Sequence, residues 1–104
     1  MSFNGNEGEG IPLELAKDWT KKWRESKNPE DANAFFFGRE KLQEILNQND
    51  CKGIRVYFGI NDDNQKALIL VGAEADENDQ TTGLILDKGA ICPPNCPNGG
   101  GLNG

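Results

Sequence analysis

The chain contains no histidine. This removes the commonest general base, the Ser-His and Cys-His dyads, and any imidazole-ligated metal site. Apolar residues are also scarce, at 36% of 104, and basic residues number 11 against 17 acidic. The resulting net charge of −6 disfavours non-specific contact with DNA, RNA or an anionic membrane, because each repels an anion. No apolar run approaches the roughly 20 residues of a membrane-spanning helix. Walker, Gly-x-Gly-x-x-Gly and Gly-x-Ser-x-Gly motifs are missing, and so is any internal repeat. What is present is one domain's worth of sequence, long enough to bury roughly two thirds of the surface its unfolded chain exposes.

The two ends differ in composition from the middle. Residues 1–10, Met-Ser-Phe-Asn-Gly-Asn-Glu-Gly-Glu-Gly, have neither a basic start nor an apolar stretch. They lack the pattern of a secretory signal and the glycine that myristoylation needs. They read as a flexible arm with an intact start, which predicts a cytoplasmic address, with export by a non-standard route as the alternative. Residues 89–104 hold three of the five prolines and two of the three cysteines. Proline removes backbone donors, so neither a helix nor a central strand is expected in this Cys/Pro/Gly-rich tail. The intervening segment, 11–88, is expected to fold as a single domain.

Within that segment, 11–27 has helical spacing. Pro12 suits a first turn, Glu14 lies near the positive end of the dipole and Lys27 near the negative end. Leu15, Ala16, Trp19 and Trp23 share one face. Asn28-Pro29 ends the helix, because the residue before proline avoids the α region. A second helix is expected over 31–48, with Phe35, Leu42, Ile45 and Leu46 as its apolar stripe and Phe36 and Phe37 widening it. Gly38 inside it would cost up to about 1 kcal/mol relative to alanine. Phe35–Phe37 extended, with the helix starting after Gly38, is the alternative.

The period then changes to two. Ile54, Val56, Phe58 and Ile60 fall on one face of a strand over 53–60. Asn61–Gln65 reads as a turn. The stretch 66–73 is apolar on both faces, as a central strand requires. An acidic loop, 74–80, precedes a third strand over 82–86. A five-residue connection implies a hairpin and hence an antiparallel sheet. The expected class is α+β, with two amphipathic helices packed on a three-stranded antiparallel sheet in the order helix-helix-strand-strand-strand.

Four stretches of the chain resemble a group of small uncharacterised proteins from Bacteroidetes-type bacteria. They are Phe37-Gly38-Arg39-Glu40, Gly53–Gly59, Leu68–Gly72 and Cys92-Pro93-Pro94-Asn95-Cys96. The resemblance spans roughly residues 34–97, and the Cys-Pro-Pro-x-Cys ending is its most specific element. It implies no activity.

Cys92 and Cys96 are the sharpest chemical feature. They suit a local disulfide, or a pair of thiolates for a metal such as zinc. A closed zinc site needs four ligands, so Cys51 and a carboxylate, or a second chain, would have to join. A redox motif of the thioredoxin type has two intervening residues and opens a helix, whereas here three intervene, two of them proline. Cys51 reads as a small buried residue at the mouth of the first strand. No cofactor is expected, and zinc is the metal candidate at the cysteines.

Two acidic runs, Asp62-Asp63-Asn64 and Asp76-Glu77-Asn78-Asp79, carry oxygen ligands. Counted from Asp76, an EF-hand would need glycine where Thr81 stands and glutamate where Asp87 stands, so both runs read as solvated loops. Trp19 and Trp23 are expected in the core, with a partner anchor as the alternative. Three consecutive aromatics span too wide an arc of a helix for all to face one sheet. Phe36, Phe37 and Trp19 are therefore the candidate contact residues. No catalytic constellation is legible. The expectation is a non-catalytic protein-protein interaction or assembly module that associates with itself. The alternative is a thiol-based metal or redox protein that uses Cys92 and Cys96, and a third reading is an enzyme that uses carboxylates.

Overall fold

The computed structural model describes residues 2–104. Its elements run α1 (Leu13–Ser26), β1 (Ala34–Phe36), α2 (Arg39–Leu46), β2 (Gly53–Ile60), β3 (Lys66–Ala73), β4 (Ile85–Leu86) and β5 (Ala90–Cys92). The class is α+β, and every strand pair is antiparallel. A three-stranded sheet has the order β2-β3-β4, and β1 pairs with β5 separately. The chain forms two compact units. One comprises Phe37–Gly89 with the N-terminal residues through Gly8, and the other Glu9–Phe36 with Ala90–Gly104. This division differs from boundaries at 10 and 88. Composition marks the ends as unlike the middle, but it does not show what they dock against.

In the first unit the β2–β3 hairpin is set by its turn. Asn64 N–H donates to the Asn61 carbonyl at 3.0 Å, and Asn61 N–H to the Gln65 carbonyl at 2.9 Å. The Asn61 side chain accepts from the amides of Asp63 and Gln65. Asn64 adopts φ 63°, a left-handed position that asparagine tolerates. The register then runs from Ile60 opposite Lys66 to Gly53 opposite Ala73. β3 is central, and Leu70, Val71 and Ala73 are buried in it. α2 packs on β2 and β3, and its Ile45 has no exposed surface.

Gly38 caps α2 in extended conformation, so the helix begins after it. Phe35 and Phe36 are extended in β1 and not helical. The 31–48 helix is thus reduced to eight residues. β4 is shorter than 82–86 because its approach is bonded elsewhere. Leu84 N–H donates to the Gln48 side-chain carbonyl at 2.7 Å, and Gln48 donates to Gln80 at 3.0 Å.

The expected buried face of β2 is instead exposed, with Val56 at 48%, Phe58 at 90% and Ile60 at 70% of full accessibility. Length explains the exposure. An eight-residue helix is about 12 Å long, whereas an eight-residue strand spans about 27 Å. α2 therefore covers only one end of the hairpin.

In the second unit α1 starts after Pro12, whose carbonyl accepts from Ala16 N–H at 3.1 Å. It closes with Lys27 N–H on the Trp23 carbonyl at 2.9 Å. The expectation that Trp19 and Trp23 are core is overturned, because they are 55% and 41% exposed. Helix α1 has no fully buried residue at all. The only strands in this unit are three residues each, too little surface to cover a 14-residue helix. Trp23 spends its indole N–H on the Ala32 carbonyl at 3.0 Å. The tail is tied to the same unit. Arg24 donates to the Leu102 carbonyl at 2.5 Å, and Asn33 to the Asn103 side chain at 2.8 Å.

Candidate functional site

The surface with most to offer a partner is the outer half of β2. Val56 lies opposite Leu70 and Phe58 opposite Leu68, so their side chains share one sheet face. The hairpin turn also fixes where the backbone points. The Asn61–Gln65 bond makes the odd-numbered residues of β2 the hydrogen-bonded partners of β3. The amides and carbonyls of Ile54, Val56, Phe58 and Ile60 therefore face the free edge of the sheet. One set of residues supplies both the exposed apolar stripe and the open backbone edge.

The opposite face of β2 carries a polar cluster. Arg55 donates to Asp79 at 2.5 Å and to the Glu77 carbonyl at 2.9 Å. The Tyr57 hydroxyl donates to the other oxygen of Asp79. The Phe3 ring lies 5.2 Å from the Arg55 guanidinium carbon, within cation–π range. Phe3 N–H donates to the Ala75 carbonyl at 2.8 Å, which holds this part of the N-terminus against the sheet. An open hollow of about 310 Å³ lies between Phe3–Glu7 and Lys52–Arg55. Glu7 turns its oxygens on the amides of Asn4 and Gly5, both at 3.0 Å, and Arg55 is committed to Asp79.

The Tyr57 hydrogen bond, followed by Arg55, holds the Asp79 carboxyl below its ordinary pKa, with partial burial opposing. Asp79 in turn raises the Tyr57 phenol. A lowered carboxylate pKa stabilises the fold above the ordinary range near pH 4, and that contribution is lost as pH falls through the lowered value. A raised phenol stabilises below about pH 10 and is lost as pH rises through the raised value. Urea midpoints should therefore fall at both extremes and stay level between them. Asp79→Asn should shrink the acid limb, to which Glu7, its carboxyl also held low by backbone amides, contributes as well, and an unchanged acid limb would show that the cluster is not coupled to folding.

The calcium-like run is built as a turn. Asp76 accepts from the Asn78 amide at 3.0 Å, and Glu77 N–H donates to the Glu74 carbonyl. Asp79 is committed to Arg55 and Tyr57. Among the described residues, no three His, Cys, Asp or Glu side chains converge in a metal-ligating group.

Cys92 and Cys96 are joined by a disulfide, with Cα atoms 4.8 Å apart. Cys92 is buried at the end of β5, and Asn33 N–H donates to its carbonyl at 2.8 Å. Cys51 is free, and its thiol donates to the Gly53 carbonyl at 3.2 Å. Denatured, unreduced protein should titrate one thiol per chain, and reduction should reveal all three. Replacing Cys92 and Cys96 with serine should cost only the low end of the roughly 0–5 kcal/mol range, because the loop they close is very short. Three thiols before reduction would reject the bonded state.

The sequence-expected contact residues are accessible but dispersed. Phe36 is 68% exposed and Trp19 is exposed beside Leu15 on α1, both in the second unit. Phe37 is half-buried and belongs to the first. Sequence reasoning placed Val56, Phe58 and Ile60 on one strand face, on a sheet larger than two short helices cover, but did not name them as contact residues. It also missed Asp79, whose signal was the alternation that places Arg55 and Tyr57 on one strand face near an acidic loop.

No family model matches the chain, and no curated protein or solved structure is significantly similar to it. No helix among the described residues is long and apolar enough to cross a membrane.

Proposed function

We propose that the protein is a small, non-catalytic interaction and assembly module that associates with itself through the outer half of β2. The observation that carries this reading is Phe58, 90% exposed between Val56 and Ile60 on one face of an edge strand. A row of exposed apolar side chains beside open backbone groups favours strand-to-strand association. In a chain of net charge −6, this strand carries only one charged residue, Arg55, which is matched by Asp79. Sedimentation velocity from low to high micromolar concentration should show mass above that of one chain, and Phe58→Ser should reduce it. A single-chain mass at every concentration would overturn the reading.

The second reading, a thiol protein using Cys92 and Cys96, is favoured by the disulfide in its redox form more than in its zinc form, since bonded sulfurs offer no thiolates to a metal. A cytoplasmic address is the expectation from the N-terminal sequence, and the disulfide points the other way. Structural disulfides persist in oxidising compartments, and the bonded pair supports export.

A further inference from the structure

Building on the reading of β2 as the contact surface, we infer that its partner is β2 of a second copy, paired antiparallel across a two-fold axis at Tyr57. The two three-stranded sheets then become one of six strands, in the order β4-β3-β2-β2-β3-β4.

The two edges of the sheet are unequal. β4 has two residues, whereas β2 has eight. The usual guards against edge pairing are missing from β2, which has no proline and no lysine between Gly53 and Ile60. Its outward backbone groups belong to Ile54, Val56, Phe58 and Ile60, so these residues must pair among themselves across the interface. Only an axis at Tyr57 pairs all four among themselves; an axis one residue to either side, at Val56 or Phe58, leaves one of the four against a residue outside the set.

An axis at Val56 draws Lys52 into the pairing, where the N-terminal residues crowd it. A Cβ on Gly5 would lie 3.3 Å from the Lys52 carbonyl. An axis at Phe58 sets Ile54 beside Asp62, inside the hairpin turn, where the chain is no longer extended. An axis at Tyr57 pairs Ile54–Ile60 in full. Val56 then lies opposite Phe58 of the second copy, and Ile54 opposite Ile60. Arg55 faces Gly59, so no like charges meet. Each exposed Phe58 gains an apolar cross-strand neighbour, and the stripe becomes continuous across the axis.

The test uses the full chain in a Cys51→Ser background. In this register the two copies of residue 57 form a non-hydrogen-bonded pair with Cα atoms about 4.5 Å apart, inside the disulfide range of about 4.4–6.8 Å. Tyr57→Cys should therefore run as a covalent dimer under mild oxidation, while Val56→Cys, offset from its own copy, should not. Tyr57→Cys also loses the bond to Asp79, so a second variant keeps the inference open to refutation. Val56→Pro removes an outward N–H that β3 does not use, so it should leave circular dichroism unchanged and abolish the dimer. A wild-type dimer with no Tyr57→Cys cross-link, or one that survives Val56→Pro, overturns the pairing and leaves the contact-surface reading standing. A wild type that is monomeric throughout removes both.

Discussion

Ile45→Ala is expected to lower stability by about 2–5 kcal/mol, the largest loss from any single truncation in this chain. Among the described residues Ile45 is the one large side chain with no exposed surface, and its helix α2 packs on β2 and β3. A helix of eight residues does not hold together alone in water, so its order depends on that contact. The other buried apolar residues of this unit, Leu70, Val71 and Ala73, are too small to collapse around the cavity left behind. The measurement is the urea midpoint, read with helical circular dichroism. A shift under about 1 kcal/mol would mean that α2 is not anchored through Ile45. Phe58→Ser offers the contrast, since it removes a larger side chain that touches little in the single chain. It should barely move the midpoint while reducing association.

Gly72→Ala should cost about 1–3 kcal/mol through overpacking. A Cβ there would press on the Gln80 side-chain oxygen and lie 3.1 Å from both Cys51 Sγ and Gln48 Nε2. The two glutamines cannot easily give way. Gln48 also accepts from Leu84 N–H, and Gln80 donates to the Asn49 carbonyl at 2.7 Å. Displacing them would undo the bonds that bring the chain from α2 and the 80–84 segment against β3. Gly59→Ala is the internal control, because its Cβ would lie in ordinary contact, 3.7 Å from Ile69. Equal stability losses at Gly72 and Gly59 would show that strand propensity, and not the glutamine clamp, sets the cost.

Several features were legible from residues alone because they depend on near neighbours. The change of period at Gly53 marked β2, the Asn61–Gln65 segment marked a hairpin, and an apolar run on both faces marked β3 as central. The missing histidine and missing motifs narrowed the chemistry in the same local way. The second helix was misjudged at its start, because the apolar spacing of Phe35–Phe37 fits either state. Gly38 and pairing with Ala90–Cys92 settle it as extended.

The sequence alone determined the class, the antiparallel hairpin and its central strand, since alternation and turn chemistry are set within a few residues. Only the tertiary structure decided which apolar faces are covered. Periodicity tells that Val56, Phe58 and Ile60 share a face, and that Trp19 and Trp23 share another. It does not tell that α2 is too short to reach the first, or that the strands grouped with α1 are too short to cover the second. Burial depends on the length and placement of whatever lies opposite, which is a property of segments distant along the chain. For the same reason Asp79 became the partner of Arg55 and Tyr57 only once the backbone had brought them together.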